Sequence, residues 1–253
     1  MDNAQDKSKL KFGLVGRNIS YSFSRAYFAK KFERENLSYS YVNFDLNSID
    51  ELRDIIKKTP NLKGLNVTIP YKEEVIPLLD DLDKRAQKIG AVNTIKITKS
   101  KKLIGYNTDY YGFKNSLKLH LEKHHTRALI LGTGGASKAV AYALKKLDLT
   151  YDYVSRSKKD GVKYTYTDLT YEIIKTYTII VNCTPIGTFP NVNECPDIPY
   201  DAITKDHILY DLIYNPEQTK FLSYGAKKGA ITINGLEMLK LQAEKAWKIW
   251  NKS

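Results

Sequence analysis

Apolar residues along this chain fall into short runs whose period changes repeatedly. Phe12-Gly-Leu-Val-Gly16 is a continuous apolar run of the kind that forms a buried strand. Ser24 stands where it can cap a helix continuing to about Glu35. Tyr39 to Asp45 alternates like a half-buried strand, and Ile49 to Lys58 spaces its apolar residues like a helix. Gly64 to Ile69 is a further strand, stopped by Pro70, and Leu82 to Ile89 a further helix. Ala91 to Ile97 alternates into a basic turn, Lys99-Ser-Lys101-Lys102, and Gly105-Tyr106 reads as another turn.

A second series begins at Asp109. Phe113, Leu117 and Leu121 share one helix face, and Ala128 to Leu131 is a strand running into a glycine-rich loop. Helix Ser137 to Leu147 follows, then strands Tyr151 to Ser155, Thr178 to Asn182 and Ile208 to Leu212. Helix Thr219 to Lys228, strand Ile231 to Asn234 and a helix from Leu236 complete the pattern. Alternating strands and helices predict an α/β protein. Between Ser155 and the alternating run Lys163 to Tyr166 there is too little chain for a crossover helix, so a loop is expected there. No repeat or Pro/Gly/Ser-rich linker is visible, which places the domain boundary near Thr108, within the helical segment.

The 253 residues suit one or two domains. The net charge of +12 raises the question of nucleic acid, but the lysines are spread over every predicted helix face and no nucleic-acid-binding motif accompanies them. The charge reads as solvation, with a local bias toward a phosphorylated cofactor and a carboxylate substrate. No run approaches the roughly 18 apolar residues of a membrane span, and Met1 to Lys11 lacks an apolar signal core. Cys183 and Cys195 give neither a metal-ligand spacing nor a disulfide framework. A reduced, cytoplasmic protein without a metal is expected, as a monomer or homodimer.

The candidate chemistry lies at the ends of these elements. Asn66-Val-Thr-Ile-Pro-Tyr-Lys72 sets an amide, a hydroxyl and an amine at the end of a strand, and Asn107-Thr-Asp109 sets a carboxylate just before a helix. An amine and a carboxylate on separate loops are what proton transfer at a carbonyl requires. Ser22 and Ser24 present two hydroxyls at a helix N-terminus, where they can receive a carboxylate or simply cap the helix. Gly132-Thr133-Gly134-Gly135-Ala136 follows a strand and opens a helix, the context in which backbone approaches a pyrophosphate. The next strand ends in Ser155-Arg156-Ser157 rather than in the acidic residue that takes NAD ribose hydroxyls, and a guanidinium there suits a ribose phosphate.

Together these motifs resemble the shikimate dehydrogenase family, with matches from Gly13 to Gln242. The resemblance implies a substrate domain of residues 1–108 completed by 235–253, and a Rossmann-like NADP-binding domain of residues 109–234, the C-terminal helix returning to the first. It implies reversible NADPH-dependent reduction of 3-dehydroshikimate to shikimate in aromatic amino-acid biosynthesis. Lys72 and Asp109 would carry the chemistry. Ser22 and Ser24 would hold the substrate carboxylate, while Thr68, Asn93, Tyr214 and Gln242 complete the substrate site. Thr184, in an Asn-x-Thr-x-x-Gly loop, together with Ile213 and Gly235, would meet the cofactor, joining Gly132 to Ala136 and Ser155 to Ser157. The chain departs from the family pattern at Arg17-Asn18, Tyr21, Arg25 and Ser155. A quinate/shikimate dehydrogenase using NAD, and a catalytically silent relative, are the competing expectations.

Overall fold

The computed structural model describes residues 9–19 and 22–252; Tyr21, one of the departures from the family pattern, lies outside them. The chain divides into two compact units, Met1–Thr108 with Gln242–Ser253, and Asp109–Leu241. The dividing line therefore falls inside the last helix rather than ahead of it at Gly235.

In the first unit, β1 (Leu10–Gly16) leads to α1 (Phe23–Arg34), β2 (Tyr39–Asp45), α2 (Leu52–Lys58) and β3 (Leu62–Val67). A two-residue β4 (Asp81–Leu82), α3 (Lys84–Ile89), β5 (Thr94–Ile97) and β6 (Leu103–Tyr106) follow. Among the described residues the strands form one sheet in the order β2-β1-β3-β5-β6-β4, with β5 antiparallel to both neighbours. Four local expectations change. The cap of α1 is Ser22, which has an extended backbone and accepts the Arg25 N–H, while Ser24 lies in the first turn. Residues 49–51 form a tighter 3-10 turn ahead of α2, stabilised by a Ser48–Glu51 capping box. The helix expected from Leu82 starts at Lys84 because Asp83 caps it, which leaves Leu82 to pair in β4. Gly105 and Tyr106 are strand rather than turn, since the ladder with β5 runs on to Thr94–Tyr106.

One face of this sheet is closed by an aromatic cluster in which Phe28 and Phe32 of α1 meet Phe12, Tyr41 and the C-terminal residues Ala243, Ala246 and Trp250. Lys31 is nearly buried between Glu244 and Glu35, both at 2.8 Å, which ties α1 to the returning chain. Trp250 packs against the sheet where Gly64 has no side chain, and its indole N–H donates to the Ile95 carbonyl at 3.0 Å.

The second unit runs α4 (Asp109–Lys118), β7 (Arg127–Leu131), α5 (Gly135–Lys145), β8 (Thr150–Ser155), β9 (Tyr164–Thr165), α6 (Tyr171–Thr176) and β10 (Ile179–Asn182). It continues through β11 (Ile208–Asp211), α7 (Lys220–Lys227) and β12 (Ile231–Ile233) into α8 (Leu236–Asn251), whose end belongs to the first unit. Its described strands are all parallel, in the order β12-β11-β10-β7-β8-β9. The strand order reverses between β7 and β10, the switch point at which doubly wound sheets open a ligand crevice. No α-helix joins β8 to β9 among the described residues, yet β9 keeps its parallel place beside Val154 and Ser155. Helix α6, capped by Thr170, was not expected from the sequence.

A methyl group at Gly64 would stand 2.2 Å from Trp250 Nε1. Gly64→Ala is therefore expected to destabilise the protein by about 1–3 kcal/mol, read as a lower urea midpoint at unchanged slope. In a Trp250→Phe background the cost should shrink, because the two positions share one space; equal costs in both backgrounds would contradict this packing.

Candidate functional site

The substrate-side candidates of the first unit are set by buried hydrogen bonds at strand ends. Thr68 follows β3 and is pinned to β1 through its backbone N–H and the Val15 carbonyl at 2.9 Å. The segment from Val67 to Lys72 is laced to its neighbour twice: Val67 N–H donates to the Asn93 carbonyl at 2.9 Å, and Val92 N–H to the Lys72 carbonyl at 2.7 Å. Asn93 is 2% exposed. Its Oδ1 accepts the Thr108 backbone N–H at 2.6 Å, and its Nδ2 donates to Thr108 Oγ1 at 3.0 Å and to Gln242 Oε1 at 2.7 Å. Backbone bonds thus bring the segment carrying Thr68 and Lys72 beside Asn93, which itself holds Gln242. Lys72 and Thr68 are half-buried.

Ser22 and Ser24 occupy the start of α1 and are both half-buried. The buried Tyr41 hydroxyl of β2 donates to Asn66 Oδ1 at 2.8 Å. Asn66 reaches the Asn93 carbonyl and Thr94 Oγ1, each at 3.3 Å, so Tyr41 and Asn66 join the network around Asn93. Tyr41, Asn66 and Thr108 carried no assigned role in the sequence reading. Asn66 had a usable signal, a buried polar position near the end of β3.

In the second unit Asp109 begins α4 and is 2% exposed. The glycine loop joins β7 to α5. Gly132 has φ +103°, and a side chain there would crowd Thr184 Cγ2 at 3.1 Å and the Cys183 backbone, which brings the loops after β7 and β10 together. Gly134 stands at the N-cap of α5 without a side-chain cap, and a methyl group there would meet nothing within 4 Å. An open helix N-terminus with free approach to its backbone fits a pyrophosphate. Gly135 and Ala136 form the first turn, and Thr133 Oγ1 accepts Lys159 Nζ at 2.6 Å. Ser155 ends β8 half-buried, while Arg156 and Ser157 are exposed beyond it. Cationic side chains without a carboxylate at the strand end fit a phosphorylated ribose.

The remaining cofactor-side residues hang on one buried carboxylate. Asp211 accepts Thr219 Oγ1 at 2.6 Å, Asn182 Nδ2 at 3.1 Å and the Ile213 N–H at 3.1 Å. Asn182 Oδ1 in turn receives the backbone N–H and hydroxyl of Thr184, at 3.0 and 2.6 Å. Gly235 N–H donates to the Ile213 carbonyl at 2.9 Å, and Gly235 lies so close to Leu212 that no side chain would fit. Thr184, Ile213 and Gly235 are thereby joined, and Tyr214 follows Ile213 half-buried. Sequence reading found the motifs but missed this Asn182–Asp211–Thr219 network. Among the described residues, no group of three or more His, Cys, Asp or Glu side chains could hold a metal ion, and no helix is long and apolar enough to cross a membrane.

Residues 14–95 match the family model described as shikimate dehydrogenase substrate binding domain. A shikimate dehydrogenase (NADP(+)) of Clostridium botulinum is 40% identical over 248 residues, covering 94% of this chain and 95% of that protein. A solved shikimate dehydrogenase in complex with NADP+ superposes with a TM-score of 0.86 at 38% identity, covering 96% of this chain and 90% of that one. The shikimate 5-dehydrogenase of Thermus thermophilus, in complex with NADP(H) and shikimate, gives 0.85 at 30% identity, covering 96% and 93%.

Burial pushes the Asp211 carboxyl up to about 6, against the three hydrogen bonds that favour its charge. The fold therefore prefers the protonated form. The stability this group contributes is full below the unfolded value of 3.8 and is lost as pH rises through about 6. Compared with Asp211→Asn, the wild type should lose roughly 3 kcal/mol between about pH 4 and pH 7 and nothing further above. Urea denaturation of both proteins across that range checks it; a constant gap would contradict the shift.

Proposed function

The chain belongs to the shikimate dehydrogenase family, and from that premise we propose that it interconverts 3-dehydroshikimate and shikimate with NADP. It is an oxidoreductase acting on a small-molecule substrate. The observation that supports the residue-level reading is the backbone lacing of the Val67–Lys72 segment to Val92 and Asn93, whose side chain in turn holds Gln242.

In this reading Ser22 and Ser24, at the positive end of α1, hold the substrate carboxylate. Thr68, Asn93 and Gln242 take ring hydroxyls, and Tyr214 adds a further contact. NADPH, when bound, supplies the hydride. As the substrate carbonyl oxygen gains negative charge, Lys72 stabilises it and delivers the proton. Asp109 orients the amine and accepts a hydrogen bond from a neighbouring hydroxyl. The backbone from Gly132 to Ala136 receives the pyrophosphate at the start of α5, and Arg156, flanked by Ser155 and Ser157, reads the ribose phosphate. Thr184, Ile213 and Gly235 border the nicotinamide. The dispersed basic charge serves solubility rather than nucleic acid. Two cysteines without a disulfide framework and a metabolic reaction fit a cytoplasmic protein, monomeric or homodimeric.

Lys72→Met keeps much of the side-chain volume and removes the charge. It and Asp109→Ala are each expected to lower turnover by about 10²–10⁴-fold, with the Michaelis constant for NADP little changed. The double variant should be scarcely worse than the poorer single one, because residues acting as a unit are non-additive. Near-normal turnover in folded Lys72→Met would remove Lys72 from the mechanism.

A further inference from the structure

In the first unit β2, β1 and β3 run parallel and end side by side, at the edge where α/β sheets receive ligands. Arg17 is the first residue beyond β1, the middle of the three, and one of the chain's departures from the family pattern. Its backbone N–H donates to the Ile69 carbonyl and its Nε to the Tyr71 hydroxyl, each at 3.2 Å. Its Nη2 donates to the Asn47 carbonyl beyond β2. The guanidinium carbon also stands 5.5 Å from the centre of the Tyr71 ring, within cation–π range. One residue thus ties together the segments that follow all three strands.

The anchors of this strap are themselves held. Asn18 and Ile19 give their backbone N–H groups to the Asp45 carboxylate, at 2.8 and 3.2 Å. Asn47 N–H donates to Glu51 Oε1 at 3.0 Å, in the capped turn ahead of α2. Tyr71 is fully buried and donates its proton to the Leu46 carbonyl at 2.7 Å. Its phenol oxygen then has only lone pairs to offer, and Arg17 fills one of them. The Tyr71 N–H closes a turn on the Thr68 carbonyl at 3.0 Å. Within that turn Ile69 is 68% exposed, so core packing does not fix it. Arg17 therefore grips the turn at Ile69 and at Tyr71, the residue from which Lys72 continues.

We propose that Arg17 is a positioning residue: it holds the Thr68–Lys72 segment where proton transfer requires it, and so sets turnover rather than affinity. The proposal rests on the reading of Lys72 as the proton donor. A misplacement of about 1 Å can cost roughly 10²-fold in rate. The segment keeps its backbone bonds to Val15 and Val92 without Arg17, so a smaller loss is expected.

Arg17→Met keeps the stem and deletes every guanidinium bond. Turnover with shikimate and NADP should fall about tenfold. The Michaelis constants for both should stay within about twofold, whereas general loosening of the substrate site would raise that for shikimate. In a Lys72→Met background Arg17→Met should lower turnover no further, because it acts through Lys72. Unchanged turnover in Arg17→Met, an effect confined to the Michaelis constants, or a further tenfold loss on top of Lys72→Met overturns the proposal. Should Arg17→Met not fold, Tyr71→Phe keeps the buried ring and removes the acceptor of Arg17 Nε. Lower turnover there at unchanged Michaelis constants supports the proposal, and unchanged turnover overturns it. Near-normal turnover in Lys72→Met overturns the functional reading as well, whereas an impaired Lys72→Met beside a fully active Arg17→Met overturns the role of Arg17 alone.

Discussion

A carboxamide cut off from water must satisfy both its oxygen and its nitrogen within the protein, and leaving its partners bare costs about 1–3 kcal/mol for each group. Asn93 meets that demand by holding the Thr108 backbone, the Thr108 hydroxyl and Gln242 at once. One side chain thereby fixes the segment after β6 and the returning part of α8 against the end of the sheet in the first unit. The backbone of the same residue holds Val67, and so the loop that carries Thr68 and Lys72. Geometry that a substrate requires is thus produced by a polar group the fold cannot leave unpaired.

The second unit solves the same problem with a different group. Asn182 gathers Thr184, and Asp211 gathers Asn182, Ile213 and Thr219. Asp211 is the costlier choice, since burial opposes its charge. What it yields is control of two loops at neighbouring strand ends, beside the place where Gly132 and Thr184 approach each other. In both units the holding residues are buried and most residues assigned to ligands stand half-buried or exposed around them. Asp109, at 2% exposure, is the exception among the assigned catalytic residues.

The long, strongly patterned elements were legible in the sequence, as was the glycine-rich loop, because period and flanking chemistry agree there. Helix α6 was missed because it buries only Ile174, whereas α3, equally short, shows the helical spacing of Ala86 and Ile89. Ser22 and Ser24 are both competent caps, and only backbone conformation decides between them. Gly105 carries a turn-forming residue into a strand, where Leu79, Leu82 and Val92 crowd it so closely that a side chain would not fit. The hydrogen-bonded networks were the least legible part. They join residues as far as 149 positions apart, as Asn93 with Gln242, and no local pattern records such a pairing.

The central claim is that this chain oxidises shikimate with NADP. It is tested most directly by following nicotinamide absorbance with purified protein and shikimate or quinate, each with NADP and with NAD. The account predicts rapid absorbance growth with shikimate and NADP, and a slower response when NAD or quinate replaces its counterpart. No absorbance change with shikimate and either cofactor, or a clear preference for NAD, would contradict it.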